Sequence, residues 1–273
     1  MYIADVYEID SDKFETAMSL IKSKKVALYA MSGKMGVGKD TIGDGIQEVI
    51  ELQGSKVVSM SYSRPMRSEM QSVVDFYNET GSFIETADKF NVDESQVQIF
   101  LSKLDGKEIY ERTDESRLAV QYWGTDVRRN QNHNYWVNQL AKIIVEELCK
   151  GNTVKVSDVR FPNEADSILA LNGKIIRIEL PSEVQIERIK KRDNIVPTEE
   201  QLTHLSETAM DIYYFDKIFD GSQNVSTLVN QSLNYILEEK QHAKKWDIYH
   251  SWRARWLREI YCCKICKWIS EKY

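Results

Sequence analysis

Gly33-Lys34-Met35-Gly36-Val37-Gly38-Lys39 sets a lysine at the end of a turn that contains three glycines. The spacing fits G-x-x-x-x-G-K, and it departs from the commonest form by carrying Asp40 where Ser or Thr stands, with Thr41 next. Glycines let such a loop bend until successive backbone N–H groups point inward at phosphate oxygens, and a helix that starts there adds its positive end. Lys39 would then reach the β- and γ-phosphates. A carboxylate at Asp40 would repel bare phosphate but suits Mg²⁺ or its waters, and Thr41 offers a hydroxyl beside it.

A second pair is Asp158 and Arg160, which close the apolar run that starts at Thr153. At the carboxyl end of a parallel strand both would face a ligand crevice, Asp158 toward a metal and Arg160 toward a transferring phosphoryl group. A third cluster is Arg117-Leu-Ala-Val-Gln121-Tyr-Trp-Gly124-Thr125-Asp126. Arg117 and Gln121 share a helix face, where a guanidinium fork suits phosphate and an amide suits a base edge. Arg64, Arg67, Arg128 and Arg129 compete for a phosphate role. Trp123 and Trp136 are open between stacking on a base and filling a core.

The elements that must position these groups follow from hydrophobic pattern. Strands are expected at Lys24–Met31, Lys56–Met60, Thr153–Val156, Lys174–Leu180 and Lys217–Phe219. Helices are expected at Asp40–Leu52, Arg64–Tyr77, Glu115–Arg129, Tyr135–Lys150, Asn163–Leu171, Glu183–Arg192 and Val225–Glu239. That alternation predicts an α/β fold with a parallel five-stranded sheet flanked by helices. Residues 78–114 form an inserted, polar and partly helical segment that suits substrate recognition or a cover. Residues 193–207 form a second polar loop, a lid candidate, with Pro197 barring helix continuation.

Composition narrows the class. The 273 residues are 42% hydrophobic and 29% charged, with no apolar run of membrane-spanning length and an acidic amino-terminal stretch, so a cytoplasmic enzyme with no membrane partner is expected. The net charge of −6 divides unevenly, with residues 241–273 at +5 and the preceding 240 at −11. So acidic a body disfavours polymeric nucleic acid as a partner while leaving room for a small phosphate ligand.

Taken together, GKMGVGKDT, RLAVQYWGTD, Tyr135–Val137, Ser157–Asp166, Thr203–Glu207 and Phe219–Ser222 resemble, in order across about residues 24–240, the deoxynucleoside monophosphate kinases of bacteriophages, within the P-loop nucleoside monophosphate kinases. The resemblance implies ATP and Mg²⁺ as cofactors, a deoxynucleoside monophosphate as acceptor, and a host cytoplasm as location. It implies that Gly33, Gly36, Val37, Gly38, Lys39, Asp40 and Thr41 serve ATP, with Asp220 and Gly221 beside its adenine. The metal would fall to Asp40, Thr41 and Asp158. Arg117, Gln121, Gly124, Thr125 and Trp136 fall where the family holds its deoxynucleotide, and Asp158, Arg160 and Glu164 between donor and acceptor. Leu118 stands where similar enzymes carry a second cation, which turns attention to Arg67 or Arg128 for the acceptor phosphate.

Two other functions compete: a related small-molecule kinase acting on dephospho-coenzyme A or a ribonucleotide, and a DNA-associated ATPase. Residues 1–23 and the tail after about 240 lie outside the resemblance. In the tail, Trp246, Tyr249, Arg253, Trp256, Ile260 and Cys263 recur at helical spacing. A metal-free helix docked on its own domain or in a homodimer is the expectation. A basic helix on an anionic membrane surface and a zinc site from Cys262, Cys263 and Cys266 with His242 or His250 are the alternatives.

Overall fold

A computed structural model describes residues 2–111, 113–194 and 196–238; the expectations for the tail from 241, the zinc alternative included, lie outside the described residues. In chain order the elements are α1 (Ile3–Val6), α2 (Ser11–Lys22), β1 (Leu28–Ser32), α3 (Lys39–Leu52), β2 (Val57–Met60), α4 (Ser63–Thr80), α5 (Phe83–Phe90), α6 (Glu94–Leu104) and α7 (Asp114–Gln121). A π-helix (Tyr122–Arg129) follows, then α8 (Tyr135–Cys149), β3 (Thr153–Val159), α9 (Pro162–Ala170), β4 (Lys174–Glu179), α10 (Ser182–Asp193), α11 (Glu199–Thr203), α12 (Leu205–Thr208), β5 (Ile218–Asp220) and α13 (Val225–Leu237).

The five strands pair in the order β2-β3-β1-β4-β5, all parallel, so the expected α/β sheet flanked by helices is present. All five β1 residues are buried, as a central strand covered on both faces requires. One apolar layer gathers Leu28, Ala30, Val154, Val156 and Ile175 with Leu140, Ile144 and Leu148 of α8. The other gathers Tyr29, Met31, Ile176 and Ile178 with Ile42 and Ile46 of α3 and Leu228 and Val229 of α13.

The chain leaves β1 toward β2 on one side and crosses from β3 to β4 on the other, which makes the carboxyl end of β1 and β3 the switch point where α/β sheets open a crevice. Register fixes what meets there: Ser32 pairs with Val159, so the glycine loop and Arg160 leave the sheet at the same level.

Three segments gain detail from the structure. Residues 2–23, which lie outside the resemblance, pack on the same body: Ala4, Tyr7, Ile9, Phe14 and Ala17 belong to the α8 layer, and Met1–Ile236 is one unit. The stretch 78–114 holds the end of α4, then α5 and α6, and buries Ala87, Val97, Phe100, Leu104 and Ile109 in a third core with Trp123 and Trp136. Its polar composition is only its outer face. The helical stretch expected at Glu115–Arg129 is present as α7 followed by the π-helix, which holds Gly124, Thr125 and Asp126. Gly124 sits under Met66, whose Sδ would lie 2.4 Å from a Cβ there, so a larger residue would require the Met66 side chain to move. Among the described residues, no helix is long and apolar enough to cross a membrane.

Candidate active site

The glycine loop is held in shape by its own backbone. Gly33, Gly36 and Gly38 take φ of 147°, 78° and 96°, all in the region that favours glycine. Space is closed as well: a Cβ on Gly33 would stand 2.5 Å from the Ile178 carbonyl oxygen, and one on Gly36 2.5 Å from Ile189 Cγ1. Val37 turns inward and anchors the loop in the α3 layer. Lys39 opens α3 and folds back, donating to the carbonyl oxygens of Gly33 at 2.8 Å and Lys34 at 3.1 Å. Burial pulls its pKa down, and the charges of Asp158, Glu207 and Asp40 work against that fall. Asp40 and Thr41 are exposed in the first turn of α3, and the Asp40 charge favours the positive helix end.

β3 delivers the partners. Asp158 Oδ1 stands 3.7 Å from Lys39 Nζ, while Oδ2 takes the Arg160 Nε–H at 2.5 Å. Oδ1 is buried and has no hydrogen-bond partner. Arg160 is gripped from its other side by Glu207, whose second oxygen accepts the Met35 N–H of the glycine loop at 2.7 Å. These carboxylates hold the guanidinium further toward its charged form against the cost of burial.

Glu164 lies directly below. Its Oε2 accepts the N–H groups of Arg160 at 2.9 Å and Phe161 at 3.2 Å, closing the first turn of α9, and Oε1 meets Arg129 Nη2 at 3.5 Å. Burial pushes its pKa up to about 7 against those stabilising contacts. Placed this way, Glu164 shapes the turn that presents Arg160. Arg129 brings the end of the π-helix to the same cluster, with its guanidinium over the Phe161 ring.

The other anticipated residues divide into two groups. Arg117, Gln121 and Thr125 are exposed along α7 and the π-helix, and Arg117 makes only a loose 3.6 Å pair with Asp114. Trp136 is 2% exposed and donates its indole N–H to the Gly124 carbonyl at 2.9 Å, so its ring packs the third core and presents no open face to a base. Arg128 is also a core group: Glu69 accepts from it at 2.6 Å, from Trp123 at 2.8 Å and from Tyr135. Burial in that network rules Arg128 out as a free cation for an acceptor phosphate. Arg67 is half-buried and donates to the Ile109 carbonyl. Asp220 accepts from the N–H and hydroxyl of Ser222, which turns the chain at Gly221 and holds its carboxyl below the usual range.

Three residues here were not singled out from sequence. Glu207 closes the Thr203–Glu207 segment of the resemblance, which gives it no individual role, and Glu69 is a helical acid that no spacing distinguishes. Arg188 on α10 donates to the Gly221 carbonyl at 3.1 Å, and its Nη1 lies 3.9 Å from where a Gly38 Cβ would be, so it bridges the glycine loop and the loop after β5. Its signal, a basic helix face before the polar loop, is common to many surface helices. Among known proteins, no family model and no curated protein matches this chain.

Proposed function

We propose that the protein is an ATP-dependent deoxynucleoside monophosphate kinase of the P-loop class, similar to the bacteriophage enzymes, which transfers the γ-phosphoryl group of ATP to a deoxynucleoside monophosphate. The observation that carries this reading is the shared exit level of the glycine loop and β3, which brings Lys39, Asp158 and Arg160 together beside the glycine loop. The glycine loop fits a phosphate ligand, since it excludes side chains at Gly33 and Gly36 and already binds a carboxylate through Met35 N–H. Asp158 Oδ1, without a hydrogen-bond donor and only loosely paired with Lys39, would offer Mg²⁺ a ligand, with the exposed Asp40 and Thr41 of α3 as further candidates, and the ion would supply neutralisation of charge on the ATP oxygens.

In the proposed reaction the bond between the γ-phosphorus and the bridging oxygen breaks, with its electron pair leaving on ADP. A new bond forms to an oxygen of the acceptor phosphate, giving a diphosphate. That oxygen is already anionic at neutral pH, so no general base is needed. The chain's own work is positioning and charge. Lys39 serves the β,γ-phosphate oxygens, Arg160 the equatorial oxygens of the moving group, and Glu164 fixes the turn that aims Arg160. Arg117, Gln121 and Thr125, exposed on one helical stretch, are the acceptor's binding face, with Arg129 at the end of that stretch beside Glu164.

An ADP-release assay with each deoxynucleoside monophosphate, the matching ribonucleotides, dephospho-coenzyme A and no acceptor tests the reading. Turnover with deoxynucleotides, lost in Lys39→Ala, is the expected result. Turnover with dephospho-coenzyme A alone, or turnover that rises with single-stranded DNA and needs no acceptor, would replace it with one of the competing functions.

A further inference from the structure

The segment that holds α12 is fastened to the glycine loop by two carboxylates. Glu207, 8% exposed at its side chain, accepts Met35 N–H at 2.7 Å with Oε2 and binds Arg160 Nη1 with Oε1. Four residues on, Asp211 takes Lys34 Nζ at 2.9 Å and lies 3.6 Å from Arg177 Nη2. Consecutive loop residues, Lys34 and Met35, are thus each held by an acid from the same short segment. Gln185 donates its side-chain amide to the Met35 carbonyl at 2.8 Å, so the loop is held at Met35 by one contact on each side of its Cα. A carboxylate here draws on the two donors, a loop N–H and an arginine fork, that suit a phosphate oxygen equally well.

Two anions cannot share those donors. A phosphate oxygen on Met35 N–H would stand within contact of the Glu207 carboxylate, in a partly buried place where like charges repel strongly. From this we infer that Glu207 is an internal competitor for the phosphate site, an acid latch that the donor's phosphates must displace. The inference rests on the proposed function in taking the glycine loop to bind phosphate and Arg160 to serve the moving phosphoryl group. In the latched state Arg160 is neutralised between Asp158 and Glu207. Donor binding breaks the Glu207 contact, releases residues 203–211 and frees one edge of Arg160 for the moving phosphoryl group. Binding of donor and arming of the arginine are therefore one event, and part of the donor's binding free energy is used to open the latch.

The test is calorimetric titration of ADP and of inorganic tripolyphosphate into the full chain and into Glu207→Ala, Glu207→Gln, Asp211→Asn and Lys39→Ala, with hydrogen exchange of residues 203–211 in the wild type. Expected are ADP binding about three- to tenfold tighter in Glu207→Ala, a smaller gain in Asp211→Asn, and loss of amide protection across 203–211 when the wild type is saturated with ADP. A folded Glu207→Ala that binds ADP no more tightly than the wild type overturns the latch. Should that variant not fold, Glu207→Gln and the exchange measurement decide, and unchanged protection on saturation overturns it equally. Lys39→Ala binding as tightly as the wild type, or no binding of either ligand by wild type and Glu207→Ala alike, overturns the phosphate-loop reading and the latch together. Weaker binding by Lys39→Ala with no gain in Glu207→Ala overturns the latch alone.

Discussion

Lys39 Nζ lies 3.7 Å from Asp158 Oδ1, a loose pair, while the other oxygen of the same carboxylate is fully engaged by Arg160 at 2.5 Å. One acid therefore has one committed oxygen and one buried oxygen without a donor. Leaving an acceptor so placed costs on the order of 1–3 kcal/mol, a cost that a bound cation or its water removes.

Asp158→Asn tests that division. The amide keeps the size but gives a neutral, weaker cation ligand, and one of its atoms becomes a donor facing Arg160 or Lys39. Turnover is expected to fall by about 10² or more, with a higher Mg²⁺ concentration needed for half-maximal rate. An unchanged Mg²⁺ titration would remove Asp158 from the metal site.

Arg160→Lys separates binding from transfer. The guanidinium uses Nε on Asp158 and Nη1 on Glu207, two prongs that an ammonium on a flexible stem cannot reproduce. The loss is expected chiefly in kcat, by roughly 10- to 100-fold, with acceptor KM changed less than about threefold. A rise in KM with kcat intact would make Arg160 a ground-state binding residue.

Much of this arrangement was legible in the sequence, for reasons local to each piece. The apolar runs around Tyr29, Val154 and Ile176 read as buried parallel strands because both of their faces are covered. The glycines read as a strand-to-helix turn because the backbone there takes positive φ at Gly33, Gly36 and Gly38. What could not be read were contacts closed over long separations. Met35 meets Glu207 across 172 positions, and Trp123 and Arg128 meet Glu69 across 54 and 59. An acid's partner at such range depends on how helices pack, which helical periodicity does not encode. The same limit leaves the core role of Trp136 open between two readings, and helical periodicity does not distinguish the π-helix at Tyr122–Arg129 from an α-helix.

Trp136→Phe distinguishes a core ring from a base-stacking ring. Removing the indole N–H leaves the buried Gly124 carbonyl without that donor and shrinks the third core. A stability loss of about 1–3 kcal/mol is expected in urea denaturation, with acceptor KM within about twofold of the wild type. Unchanged stability with a large rise in acceptor KM would return Trp136 to the substrate site.

Glu164 carries the pH dependence of this site. Its carboxyl, ordinarily at 4.5, is pushed up to about 7 by burial, although two backbone N–H groups and Arg129 favour the charged form. Between those values the folded chain keeps a proton that the unfolded chain has released, so the native state binds more protons and stability falls as pH rises through the window. The group's contribution is fully present below pH 4.5 and is lost above about 7, a change on the order of 3 kcal/mol. Glu164→Gln has no proton to release, and its amide oxygen can still accept from Arg160 N–H and Phe161 N–H. Its stability relative to the wild type should therefore climb between pH 5 and pH 8 by roughly that amount, the rest of the protein's titration cancelling in the difference. Urea denaturation of both proteins across the range measures it. Parallel stability curves would show that Glu164 is ionised throughout, with Arg129 and the two N–H groups outweighing burial.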